Sequence, residues 1–330
     1  MALRSFLILL LVVGIGSCTR HRVGQQLPRR GDEIVVAGQF FHTGAPVVTW
    51  MDPGGYDAYR VERRFVAYEK SGWGPTTRES RDIDSPNRYG LRASVLTAEE
   101  IEQVRGGGWP LAMLRDKVDQ FVMHYDVCGT SRQCFNILHD KRNLSVHFML
   151  DLDGTIYQTL DLKERAWHAG TANSRSIGIE IANIGAYALN DATLEQWYAP
   201  DETGRIRNVF PAWMTNTGIR TPDFIPRPAR PVPIVGEIQG RRLKMYDLTP
   251  QQYASLVKLT AAVCTALPKI RCDYPRDAEG RLITRVLPED QLNGYQGLLG
   301  HYHITAGKVD PGPAFQWDYI VTEARKLMKR

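Results

Sequence analysis

The chain has 330 residues, of which 43% are hydrophobic, and a formal net charge of +5. The basic bias is mild and carries no Lys/Arg block, so nothing marks nucleic acid as a partner. Beyond the N-terminal segment no apolar run is long enough to span a bilayer as a helix, and no internal repeat is present.

Residues 1–18 read as a secretory signal. Arg4 supplies a positive start, Phe6 to Ile15 is an almost unbroken apolar run, and Gly16-Ser17-Cys18 gives a small-residue exit. The tetrapeptide Ile15-Gly16-Ser17-Cys18 also resembles the bacterial lipobox, which implies acylation of Cys18 and a mature protein that starts there. An ordinary signal peptide is the plainer alternative. Thr19 after the cysteine implies, by resemblance to lipoprotein sorting, a periplasmic protein anchored in the outer membrane. Loss of the signal removes only Arg4 among the charges and takes the net charge from +5 to +4. If Cys18 carries lipid, Cys128, Cys134, Cys264 and Cys272 remain, in two close pairs. Proximity favours Cys128–Cys134 and Cys264–Cys272 disulfides in an oxidising compartment, among the three connectivities that four cysteines allow.

Residues 19–32 are polar and basic and read as a tether. Residues 33–118 hold short strand-like pieces at Glu33–Ala37, Pro46–Trp50 and Arg64–Tyr68, and Thr97 with Glu100 forms a capping-box pattern for a helix to about Arg105. This region is expected to be an extension packed on the main domain, which spans 119–330. There, Gln120–Tyr125 predicts a buried strand, and Ser131–His139 a helix. Ser145–Leu152 and Thr155–Leu160 predict two strands joined at Asp153-Gly154. Ser176–Asn183 alternates with period two, with Ile177, Ile179 and Ile181 on one face and Gly178, Glu180 and Ala182 on the other. Residues 186–247 are expected to be an irregular insertion, with five prolines between Pro222 and Pro233. Thr249 as N-cap, Pro250 in the first turn and Gln252 completing a capping box begin a helix with an apolar stripe from Tyr253 to Leu267. A last helix is expected from about Ala314 to Met328. The pattern predicts an α/β fold, a mixed central sheet flanked by helices.

The chemistry concentrates in Gly300-His301-Tyr302-His303-Ile304-Thr305-Ala306-Gly307-Lys308-Val309-Asp310-Pro311. Histidine nitrogen and aspartate oxygen are good zinc ligands, and a catalytic zinc keeps three protein ligands and an open position. The third ligand must come from elsewhere, and His124 at the end of a buried strand is the best candidate. Taken singly, His124 and His301 each read more readily as hydrogen-bonded core histidines than as ligands.

Three segments decide between these readings: His124 in VMHYD, ERAWHAGTANSRSIGIEIAN (164–183) and GHYHITAGKVDPGPAF (300–315). They resemble, in order, the signature segments of the zinc-dependent N-acetylmuramoyl-L-alanine amidases, a family that includes the peptidoglycan recognition proteins. The resemblance implies Zn2+ held by His124, His301 and Asp310, with Glu180 as catalytic carboxylate and Lys308 steadying the charge of the reaction. It implies that Trp167, His168 and Asn173 line the substrate cleft, and that His147 is an orienting residue. Peptidoglycan or muropeptides are the implied substrate, cut between N-acetylmuramic acid and L-alanine. The Cys128–Cys134 pair also resembles the disulfide of the recognition proteins. His303 stands where many members have Asp, which leaves a competing ligand open. Two other functions stand beside the amidase: a peptidoglycan-binding module without catalysis, and a zinc hydrolase of another amide.

Overall fold

The computed structural model describes residues 22–72 and 88–329. The signal segment, Cys18 and residues 19–21 of the expected tether lie outside the described residues. The chain divides into Met1–Arg30 and a compact unit, Gly31–Arg330. In the first, residues 22–25 make a turn in which the Gln25 amide donates to the Arg22 carbonyl at 3.0 Å. Among the described residues no helix is long and apolar enough to cross a membrane.

The second unit is built on a six-stranded mixed sheet. Its strands are β1 (Val47–Thr49), β2 (Gln120–Tyr125), β3 (Phe148–Leu150), β4 (Ile156–Gln158), β5 (Ser176–Ile181) and β8 (Gly297–Gly300). They lie in the order β8-β2-β5-β3-β4-β1. All neighbours are parallel except β3 and β4, which form an antiparallel hairpin turning at Asp153-Gly154, where Gly154 takes a φ of +85°. The sheet is covered on both faces, as parallel sheets must be. Ile177, Ile179 and Ile181 pack with Phe121, Met123, Phe148 and Leu150 against the apolar stripes of α4 (Pro250–Ala266) and α5 (Trp317–Met328).

Helix α4 starts where the sequence predicts. The Thr249 hydroxyl oxygen accepts from the Gln252 amide at 3.0 Å, the Gln252 side chain accepts from the Thr249 amide at 2.9 Å, and Pro250 occupies the first turn. The same two side chains tie the helix to the sheet: Thr249 Oγ1 donates to the Leu152 carbonyl at 2.7 Å, and Gln252 Nε2 to the Ala182 carbonyl at 2.8 Å. The Thr97–Glu100 capping box also forms, opening α1 (Ala98–Val104), which is followed by α2 (Leu111–Lys117).

Three expectations are corrected. Residues 64–68 form no strand, because the Arg64 and Phe65 amides both donate to the Asp140 carboxylate instead of to a ladder, while Phe65 packs edge-on against Phe135. The insertion is not irregular throughout. Tyr187–Ala188, β6 (Ile234–Ile238) and β7 (Arg241–Met245) make a three-stranded sheet with β7 in the centre, and Tyr198–Pro200 pairs with Ile206–Asn208. The β6–β7 hairpin turns at Gln239-Gly240, both at positive φ, as a two-residue hairpin turn requires. Residues 222–233, the proline-rich run, do lack strands and helices. The helix expected over 131–139 divides into α3 (Ser131–Phe135) and a π-helical turn, Asn136–Lys141.

Thr249→Ala removes a cap and leaves the buried Leu152 carbonyl without its hydroxyl donor. The expected cost is about 1–2 kcal/mol of unfolding free energy, read from the midpoint of urea denaturation.

Candidate functional site

Parallel pairing places the chemistry in one row. In the register of β2 with β5, His124 is opposite Glu180, and on the other side Met123 pairs with Gly300, so that His301 follows beside His124. His124 and Glu180 therefore share a face, turned away from the Ile177–Ile179–Ile181 core, at the carboxyl ends of the parallel strands. Ligand sites of open α/β sheets gather there. Asp310 completes the group from the turn after His301.

Three side-chain atoms converge. Asp310 Oδ2 lies 2.8 Å from His124 Nδ1 and 3.1 Å from His301 Nδ1, and the two nitrogens stand 3.1 Å apart. Each residue is buried, at 1%, 8% and 7% exposure for His124, His301 and Asp310. Burial opposes the charge on Asp310, yet the two imidazoles bonded to Oδ2 outweigh it and hold the carboxyl below its usual range. Burial, then the neighbouring His301, pull the His124 pKa down to about 4 against the pull of Asp310, so its imidazole is neutral. Two imidazole nitrogens and a carboxylate oxygen form a donor set suited to zinc. Without a cation, three atoms that bear lone pairs crowd within 3.1 Å of one another; a cation would give them a shared partner. The residues present fit a metal ion, and among the described residues they form the one buried cluster able to hold it.

The three atoms open onto a cleft of about 420 Å³ lined also by Glu180, Lys308, Trp167, His168, Asn173, Val127, Cys128 and Arg142. Glu180 Oε2 is sealed from solvent without a hydrogen-bond partner. Burial, followed by the carboxylates of Asp310 and Asp126, pushes its pKa well above the usual range. Lys308 is exposed on the ligand turn. Val127, half exposed in the cleft wall, holds a φ of +53°, a costly conformation for a β-branched residue.

His303 does not join the cluster: its Nδ1 accepts from the Gly300 amide at 2.8 Å and its Nε2 donates to the Ile283 carbonyl at 2.6 Å, so both ring nitrogens are spent away from His124, His301 and Asp310. His147 is fully buried, with Nδ1 accepting from the Gly178 amide at 3.1 Å and Nε2 donating to the Glu164 carbonyl at 2.9 Å. Asn173 lines the cleft, and its Oδ1 accepts from the His168 and Ala169 amides at 3.1 and 2.7 Å. Both ring nitrogens of His168 are bonded within the protein, Nδ1 to His124 Nε2 at 3.0 Å and Nε2 to Ser176 Oγ at 3.3 Å. In each cysteine pair, Cys128 with Cys134 and Cys264 with Cys272, the side chains are within hydrogen-bonding reach, and all four are free thiols in this structure.

The family comparison speaks directly to this arrangement. The family model described as N-acetylmuramoyl-L-alanine amidase matches residues 114–313, a span that includes His124, Glu180, His301, Lys308 and Asp310. The chain belongs to the N-acetylmuramoyl-L-alanine amidase family. Among solved structures, this amidase is similar to a selenomethionine AmpD derivative at 18% identity, with 76% of this chain and 96% of that one covered and a TM-score of 0.33. The LysCS endolysin amidase from Clostridium intestinale URNW matches at 16% identity, covering 64% and 86%, with a TM-score of 0.34. AmiD from E. coli, in complex with anhydro-N-acetylmuramic acid-L-Ala-D-gamma-Glu-L-Lys, matches at 18% identity, covering 63% and 57%, with a TM-score of 0.34. No curated protein sequence gives a significant match.

Sequence reading missed the supports of this amidase's site. Arg92, from the extension, is fully buried, and its guanidinium donates to the carbonyls of Leu162, Lys163, Asn173, Ser174 and Ser176 at 2.9–3.2 Å. Burial pulls its pKa down to about 9. Asp126 Oδ1 accepts from the Cys128, Gly129 and Asn183 amides, and burial pushes its pKa up to about 8. Gly178 leaves room for His168, since a Cβ there would lie 2.4 Å from the His168 Nδ1. An arginine whose partners are carbonyls and the His147 ring of distant segments leaves no local pattern to read, whereas an aspartate two residues after a strand histidine was a signal that could have been followed.

Arg92→Ala leaves five buried carbonyls without a charged donor. At about 1–3 kcal/mol for each buried group left unpaired, the expected loss exceeds about 3 kcal/mol, measured by denaturant unfolding followed through tryptophan fluorescence.

Proposed function

We propose that this amidase is a zinc enzyme that hydrolyses the amide between N-acetylmuramic acid and L-alanine in peptidoglycan or muropeptides, with His124, His301 and Asp310 holding the ion. The observation that carries the reading is the convergence of those three ligating atoms beside a glutamate whose Oε2 is enclosed and unpartnered, in a cleft of about 420 Å³. A bound zinc supplies Lewis acidity toward the scissile carbonyl and a lowered pKa for the attacking water. Glu180 takes the proton of that water on Oε2 and passes it to the leaving L-alanine nitrogen, a role that its raised pKa favours. Lys308, exposed at the cleft, offers its ammonium to the negative charge that develops on the carbonyl oxygen. Trp167 gives the cleft a flat apolar wall for the sugar or peptide. The family membership supports the bond cleaved, and the donor set supports the metal.

The same proposal places the enzyme in the periplasm, acylated at Cys18 and anchored to the outer membrane, on the strength of the lipobox-like Ile15-Gly16-Ser17-Cys18. In that oxidising compartment the two cysteine pairs, already side by side, close as Cys128–Cys134 and Cys264–Cys272 disulfides.

The test is hydrolysis of muropeptides by the form lacking residues 1–18, with products read by mass spectrometry. Release of an L-alanine-headed peptide that a chelator abolishes and zinc restores is expected. His301→Ala abolishes it too, and Glu180→Gln lowers kcat about 10²- to 10⁴-fold while zinc still binds. Cleavage indifferent to chelator sinks the zinc assignment, and intact muropeptide with zinc bound sinks the substrate.

A further inference from the structure

The wall of the cleft contains a histidine whose bonds all run inward. We propose that His168 is a positioning residue for the metal ligand: it fixes the tautomer of His124, with Ser176 fixing His168 in turn. The inference rests on the zinc reading of His124, His301 and Asp310.

The geometry sets the direction of each hydrogen bond. His124 presents Nδ1 to Asp310 Oδ2 and His301 Nδ1, so the lone pair offered to a metal is on Nδ1. The proton of the neutral ring then belongs on Nε2, which lies 3.0 Å from His168 Nδ1. His168 Nδ1 must accept, which places the His168 proton on Nε2, where it donates to Ser176 Oγ at 3.3 Å. The chain is closed, and no polar atom of the ring is left for substrate.

The competing arrangement is specific. Without an acceptor at Nε2, the His124 proton gains by moving to Nδ1, where Asp310 Oδ2 waits at 2.8 Å. That tautomer puts hydrogen where the metal bond belongs. His168 thus keeps the ligand position open.

Its ring is held from every side. Gly178, with no Cβ, lets it lie against β5, and its plane stands at 87° to that of His124. Asn173 Oδ1 binds the His168 amide, and Arg92 gathers the carbonyls of the same loop. Ligating histidines held this way by an outer partner typically lose about 10- to 100-fold in metal affinity when the partner goes.

The experiment compares wild type, His168→Ala, His168→Asn and Ser176→Ala of the form lacking residues 1–18. The metal-free protein is titrated with zinc against a chromophoric chelator, and muropeptide kinetics follow at saturating zinc. Expected is a 10- to 100-fold weaker zinc affinity for His168→Ala. The Asn variant, whose Oδ1 replaces Nδ1 as acceptor, recovers most of it, and Ser176→Ala loses only a few-fold. Long-range ¹H–¹⁵N spectra of the metal-free protein read the His124 tautomer directly: Nε2–H in wild type, shifted toward Nδ1–H in His168→Ala. Should the Ala variant not fold, the Asn and Ser176 variants and the wild-type spectrum still decide. Unchanged zinc affinity in His168→Ala with a raised KM makes His168 a substrate contact and overturns the proposal, as does an Nδ1–H tautomer in wild type. A wild-type protein that binds no zinc overturns the metal reading itself, a result distinct from both.

Discussion

A carboxylate oxygen and two imidazole nitrogens within 3.1 Å of one another, all three residues buried, form a concentration of lone pairs that a protein interior does not keep without cause. Each atom is brought there by backbone that cannot shift alone. His124 is the fifth residue of a central strand, His301 follows the strand paired with it, and Asp310 closes a turn whose Gly312 would place a Cβ 2.4 Å from Met245 of the insertion sheet. The sheet register sets the distances, and the distances set the chemistry. Two imidazole nitrogens beside an aspartate oxygen offer a cation what water has been excluded from offering. Glu180, one strand away and in register with His124, keeps Oε2 enclosed without a hydrogen-bond partner and has a raised pKa, which strengthens it as a base.

The N-terminal extension and the 186–247 segment brace this row. From the insertion, Gly236 lets Pro313 approach, Gln239 Nε2 donates to the Tyr302 carbonyl at 2.8 Å, and Arg230 binds the Ala314 carbonyl. The extension sends β1 to the edge of the central sheet, and its Arg92 and Arg88 run inward to the carbonyls of the 162–176 loop and of His139. Gln158 and Asp161 in turn bind the amides of Val35, Ala37 and Gly38. Extension, insertion and sheet are thus joined through buried polar contacts as well as apolar ones, and such contacts are costly to leave half made. The loop that carries Trp167, His168 and Asn173 is rigid because an arginine from 70 to 84 residues away in the chain fills its carbonyls.

Much of this was legible in the residues. The alternation over Ser176–Ile181 separated the isoleucine core from Glu180 before any strand had a partner, and Thr249-Pro250-Gln251-Gln252 announced a helix start. Where the reading failed, the cause was a competing partner. Arg64 and Phe65 have strand-like composition but give their amides to Asp140. The insertion looked irregular because its prolines drew attention from the Gln239-Gly240 turn and the strands beside it.

Residue types and their order were enough to name the family, the fold class and the metal-binding candidates, because zinc chemistry demands particular side chains and hydrophobic period reports which face is buried. The partners of those side chains were not there to be read. That His168 spends both nitrogens on His124 and Ser176, that His303 turns to the Ile283 carbonyl, and that Arg92 holds the loop were settled only when distant segments packed. A hydrogen bond depends on angle and distance between atoms up to 84 residues apart in sequence, and only the folded chain fixes either.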